Sequence, residues 1–186
     1  MPFSAHAEKN ILVFGDSLSA GYGIALEESW PHLLQQELQE TRSDLQVINA
    51  SISGETTSGG LRRIGNALRQ HKPAIVIVEL GANDGLRGYP NKDTQINLSK
   101  IIDLSQQNNA RVLLAGMQLP PNYGQTYTTQ FHKIFTDLSQ QYRIPLLPFL
   151  LEGVKPEQFQ PDNLHPTAQA QPRIMHNILQ ELKPLL

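Results

Sequence analysis

Cysteine is absent from the 186 residues. That excludes disulfides, cysteine-based zinc sites and a thiol nucleophile together. An excess of either charge is also missing: 15 Lys and Arg stand against 17 Asp and Glu, a formal net charge of −2. Arg62-Arg63 is the only adjacent basic pair and falls in a helical pattern, so a nucleic-acid partner is not expected. No apolar run approaches the ~20 residues of a membrane-spanning helix. There is no Gly-x-Gly-x-x-Gly, no Walker loop and no His-Glu-x-x-His, which counts against a nucleotide-binding module and a zinc hydrolase. His6, His32, His71, His132 and His176 show no metal-ligand spacing, so neither metal nor cofactor is expected. Repeats, linkers and low-complexity stretches are lacking, and the length suits one domain with a sizeable core, residues 10–186.

What is present alternates. Ile11–Phe14, Gln46–Asn49, Ala74–Val78, Arg111–Ala115 and Pro145–Phe149 are apolar runs without polar alternation. Such runs suit strands covered on both faces, as in a parallel sheet. Between them lie amphipathic stripes: Trp30, Leu33, Leu34, Leu38; Leu61, Ile64, Leu68; Ile96, Ile101, Ile102, Leu104; Phe131, Ile134, Phe135, Leu138, Tyr142; and Ile174, Ile178, Leu179, Leu182. The repeated β-α order predicts an α/β fold of three layers, α/β/α. Ser4-Ala5-His6-Ala7 has small residues in the Ala-x-Ala manner of a signal-peptidase site, without a preceding apolar stretch. Residues 1–9 are therefore expected to be the tail of a signal peptide or a flexible N-terminus, and the protein to be periplasmic or secreted.

Four short blocks each follow an apolar run: Gly15-Asp16-Ser17-Leu18-Ser19, Ser53-Gly54-Glu55, Gly81-Ala82-Asn83-Asp84 and Asp162-Asn163-Leu164-His165-Pro166. Ser17 sits where a strand turns toward a helical segment, whose amides favour developing negative charge. A serine hydroxyl needs a base to become a nucleophile. His165 supplies one, and Asp162, three residues earlier, can accept from one imidazole nitrogen and leave the other for Ser17. Gly54 lets the backbone approach a substrate closely, and Asn83 offers a side-chain amide. With the Ser17 N–H they make a candidate oxyanion hole. The set is equipped to split an ester through an acyl-enzyme, with activity rising as His165 loses its proton. Gly-x-Ser-x-Gly is not satisfied, because Ser19 stands at the second glycine position, which argues against the standard α/β-hydrolase elbow. Asp16 is expected to brace its loop.

Ligands on open α/β sheets bind beyond the carboxyl ends of the strands, where strand order reverses. In a flavodoxin-like five-stranded parallel sheet of order 2-1-3-4-5, the loops carrying Ser17, Gly54 and Asn83 become neighbours. His165 follows strand five, three spacings or about 14 Å away. The connection from Leu150 to Asp162 reaches that far, at up to ~3.3 Å per residue.

These blocks resemble the SGNH-hydrolase (GDSL-esterase) superfamily. The likeness extends over Gly15–Tyr22, Asn49–Thr56, Val78–Gly88 and Leu119–Gly124, and is closest to the bacterial periplasmic acyl-thioesterase, arylesterase and lysophospholipase branch. The resemblance implies Ser17 as nucleophile and oxyanion donor, Gly54 and Asn83 as further donors, His165 as base and Asp162 as its partner. It implies a small acyl ester or thioester as substrate. Ala82 departs from a glycine common in that branch. Leu80, Leu86, Leu119, Tyr123 and Leu164 are expected to border an acyl site, with Tyr89 nearby. Gly85 and Gly88 suggest that residues 81–89 form a mobile lid. A monomer is expected. The rival readings are a carbohydrate acetylesterase of the same superfamily, which the 6% aromatic content fits poorly, and a non-enzymatic phosphate-binding or nucleotide-binding flavodoxin-like protein.

Overall fold

The computed structural model describes residues 9–186; the residue 4–7 feature lies outside them. Five strands, β1 (Lys9–Gly15), β2 (Leu45–Asn49), β3 (Ile75–Glu79), β4 (Arg111–Ala115) and β5 (Leu146–Leu147), form one sheet in the order β2-β1-β3-β4-β5. Every pairing is parallel. The helices are α1 (Ser17–Ala20), α2 (Trp30–Thr41), α3 (Thr57–His71), α4 (Ala82–Leu86), α5 (Asn91–Gln107), α6 (Gln125–Tyr142) and α7 (Gln171–Leu182). Helix α2 packs on α7, while α3 packs on α5 and α5 on α6, which gives a helical layer on each face of the sheet. Among the described residues, no helix is long and apolar enough to cross a membrane.

The core follows from the apolar runs. Ile11 to Phe14 and Ile75 to Val78 are buried, and these central strands lie side by side. Strand β2 is an edge strand and only partly buried. Its open side is capped by α2: the Gln35 side chain accepts from the Val47 N–H at 2.6 Å and donates to the Leu45 carbonyl at 3.5 Å. A side-chain amide thus takes the place of a neighbouring strand. Strand β5 is shorter than its apolar run, because Pro145 and Pro148 flank it and cannot donate to a ladder. One expectation for α5 is corrected: Ile96 points outward at 39% exposure. The buried stripe there is Thr94, Leu98, Ile101, Ile102 and Ser105.

Strand order reverses between β1 and β3. Gly15, the last residue of β1, pairs with Glu79, the last of β3. A Cβ on Gly15 would lie 2.5 Å from Glu79 Oε2 and 2.9 Å from the Glu79 carbonyl oxygen, so the close approach of these strand ends requires glycine.

Candidate active site

Ser17 opens α1, and Asp16 caps it: its Oδ1 accepts from the Leu18 N–H at 3.0 Å. The Ser17 N–H lies in the first turn, where no intrahelical acceptor exists, and is available to a ligand. The Ser17 hydroxyl is 2.9 Å from His165 Nε2. His165 Nδ1 donates to Asp162 Oδ2 at 2.7 Å, which sets the tautomer that leaves a lone pair on Nε2. Asp162 Oδ1 accepts from the backbone N–H groups of Leu164 and His165, at 2.9 and 3.0 Å. The His165 amide, the imidazole and the Leu164 amide together hold the Asp162 carboxyl down, at about 2. The structure therefore brings Ser17, His165 and Asp162 into one hydrogen-bonded row, although 148 residues separate the first two.

Asn83 enters from α4, after β3. Its amide donates to Asp16 Oδ2 at 3.1 Å, which orients the nitrogen rather than the oxygen toward the Ser17 end. Gly54 adopts φ +78, the left-handed region, in an exposed turn after β2. Its carbonyl accepts from Arg87 at 3.1 Å. Arg63 ties this turn to the nucleophile strand, donating to Glu55 at 2.7 Å, to the Ala50 carbonyl at 2.7 Å and to the Gly15 carbonyl at 3.4 Å. Its guanidinium lies over the Phe14 ring at 3.9 Å. The sequence marks Arg63 only as part of a basic pair; its bracing role comes from long-range contacts.

Two buried acids sit beneath Ser17. Burial pushes the Asp16 carboxyl up to about 7, against the pull of the Leu18 amide and Asn83. Burial, then the nearby Asp16, raises Glu79 well above the usual carboxylate range. Glu79 Oε2 accepts from the Ser19 hydroxyl at 2.6 Å and from the Asp16 N–H at 3.3 Å. This bracing of the nucleophile turn was not readable from Glu79 in its apolar run.

Ser17, Asn83 and His165 open onto a cavity of about 350 Å³, at the small end of ligand sites. Leu86, Leu119 and Leu164 line it, joined by Met117, Phe149 and Phe159, which the sequence reading omits. Met117 and Phe149 lie just past the carboxyl ends of β4 and β5, so the topological rule that placed the polar groups could have found them. Two expected rim residues are corrected. Leu80 is fully buried, packed over Gly60 in the core. Tyr123 does not line the cavity; its hydroxyl donates to the Leu86 carbonyl at 3.0 Å and braces α4 from outside.

Residues 81–89 are fastened rather than free in this structure. Asp84 accepts from the Thr57 N–H at 2.8 Å and from its hydroxyl at 2.6 Å. Tyr127 donates to the Tyr89 carbonyl at 2.7 Å. Among the described residues, no three His, Asp or Glu side chains converge as a metal site.

The model of the GDSL-like lipase/acylhydrolase family matches residues 13–172. The chain is 48% identical to an arylesterase of Vibrio mimicus, over 96% of this chain and 90% of that protein. It is 43% identical to thioesterase 1/protease 1/lysophospholipase L1 of Escherichia coli K12, over 100% of this chain and 89% of that protein. The crystal structure of TesA superposes with a TM-score of 0.93 at 44% identity, covering 96% of this chain and all (100%) of that one.

Proposed function

We infer the function from one premise: the chain belongs to the GDSL-like lipase/acylhydrolase family. It is an ester-cleaving hydrolase, similar over its length to an arylesterase and to a thioesterase and lysophospholipase. The proposed reaction is hydrolysis of carboxylic esters and acyl thioesters through an acyl-serine. Ser17 Oγ attacks the carbonyl carbon while His165 Nε2 takes the hydroxyl proton. Asp162 stays ionised and stabilises the imidazolium that forms. The oxyanion is received by the Ser17 N–H, the Gly54 N–H and the Asn83 amide. His165 then gives its proton to the leaving alcohol or thiol. Water, deprotonated by the same imidazole, attacks the acyl-serine and regenerates Ser17.

The observation that carries this proposal is the unbroken row from Ser17 Oγ through His165 to Asp162, at 2.9 and 2.7 Å, facing an apolar cavity. The wall of Leu86, Leu119 and Phe149 suits the acyl portion of the substrate. The same reading takes residues 10–186 as one catalytic unit that works as an exported monomer, periplasmic or secreted, without a cofactor. Ser17→Ala tests the chemistry. Assayed on p-nitrophenyl esters from acetyl to palmitoyl, it should keep the parent's melting temperature and lose turnover at every chain length. Turnover retained on any of these esters would remove Ser17 from the reaction.

A further inference from the structure

The segment bearing Asp162 and His165 is closed on itself. The Thr167 N–H donates to the Gln158 carbonyl at 2.7 Å, the Gln160 N–H to the His165 carbonyl at 2.8 Å and the Asn163 N–H to the Gln160 carbonyl at 2.9 Å. Phe159 and Pro166 form an antiparallel bridge, and Asn163 takes φ +56 at the tip. With the Asp162 side chain holding the Leu164 and His165 amides, the hairpin fixes its own shape. Its internal bonds do not fix where it sits relative to Ser17.

One side chain spans that gap. Gln160 Nε2 donates to the Pro166 carbonyl at 3.1 Å, inside the hairpin, and to the Tyr22 carbonyl at 2.8 Å, 138 residues away. Tyr22 is itself bound to the nucleophile: its N–H donates to the Ser17 carbonyl at 3.2 Å. Its ring lies against the His165 imidazole, with centroids 4.4 Å apart. Gly23 makes room for the arrangement, since a Cβ there would fall 2.2 Å from Gln160 Oε1. Both hydrogens of one amide are thus spent on the two halves of the reactive pair.

We propose that Gln160 is a positioning residue that docks the base-bearing hairpin on the Tyr22-Gly23 turn and so sets the Ser17–His165 distance. The proposal rests on the reading of Ser17 and His165 as the reacting pair. It concerns proton transfer and not substrate binding, because Gln160 does not line the cavity. Misplacement of a reacting group by about 1 Å can cost on the order of 100-fold in rate.

The test replaces Gln160 by methionine, which keeps the length and removes both donors. In Gln160→Met, kcat should fall about 10- to 100-fold while KM and the melting temperature stay close to the parent's. The rate at which a fluorophosphonate labels Ser17 should fall by the same factor, since that reaction reads nucleophile activation without substrate. The deshielded Nδ1 proton of His165, internal to the hairpin, should persist in the NMR spectrum. Unchanged kcat and labelling rate in Gln160→Met would overturn the proposal, as would a loss of kcat that merely follows a loss of folded protein. Retained turnover in Ser17→Ala would instead strike the underlying reading, whatever Gln160 does.

Discussion

Replacing Asp162 with asparagine changes one atom and reverses one hydrogen bond. Asp162 Oδ1 holds two backbone N–H groups, of Leu164 and His165, and an asparagine oxygen can keep both. The other position, now an oxygen 2.7 Å from His165 Nδ1, becomes an NH₂ group. Two donors cannot share a hydrogen bond, so the imidazole proton moves to Nε2. Nε2 then faces Ser17 Oγ at 2.9 Å with a hydrogen instead of a lone pair. The hairpin survives and the base is lost. The parent carboxyl titrates at about 2, so it is ionised at any working pH, and the imidazole loses its charged partner throughout. Wrong-tautomer variants of Ser-His-Asp machinery lose roughly 10⁴-fold in kcat, a barrier increase of about 5 kcal/mol. The expected outcome for Asp162→Asn is a kcat of that order below the parent's on p-nitrophenyl butyrate, at an almost unchanged melting temperature. Asp162→Ala should lose stability as well, because it abandons the two amides. A kcat for Asp162→Asn within about tenfold of the parent's would refute the role of Asp162 in setting the tautomer.

Three further outcomes follow from the surroundings of Ser17. Asn83→Ala should lower kcat by ~10² to 10³ with little change in KM, because the amide is proposed to act on the oxyanion and not on the bound ester; steady-state kinetics on the same ester decide this. Burial raises the Asp16 carboxyl from 3.8 to about 7, so the folded chain keeps a proton that the unfolded chain releases. The Asp16 contribution to stability should therefore be full below about pH 4 and be lost as pH rises from about 4 to about 7, and Asp16→Asn should flatten the decline over that window in urea titrations. Gly15→Ala places a methyl 2.5 Å from Glu79 Oε2 and 2.9 Å from a backbone oxygen that cannot move aside. It should cost about 1–3 kcal/mol in chemical denaturation, with an equal stability to the parent's counting against the close approach of β1 and β3.

The sheet order and the meeting of the Ser17, Asn83 and His165 loops were legible because each rests on a local signal, whereas Gly54 does not line the cavity. Apolar runs without alternation mark covered strands, and the blocks of Ser17, Gly54 and Asn83 each follow the carboxyl end of a strand closely. The convergence of Ser17 with His165 needed only the strand order and the reach of one loop. Residues whose roles depend on partners far away in the chain were not legible. Glu79 ends an apolar run and looks like the start of a loop, yet it is buried under Ser19. Gln160 is a polar residue in a loop until Tyr22 is seen beside it. Leu80 departs from expectation for a related reason. Adjacency to the Gly81-Ala82-Asn83 block placed it at the rim, but the chain turns at Gly81 and leaves Leu80 on the core side. Ile96 lies off the buried stripe because a five-residue step to Ile101 does not return to the same helical face.

The most direct measurement is the site of covalent capture. A p-nitrophenyl alkylphosphonate presents a tetrahedral phosphorus to the attacking oxygen and forms an adduct that water does not readily release. Intact-mass and peptide mass spectrometry should find a single phosphonyl group per chain, on Ser17, gained in step with the loss of esterase activity and absent from Ser17→Ala. Full inactivation with the label on another residue, or full labelling of Ser17 with activity intact, would contradict an acyl-serine at this position.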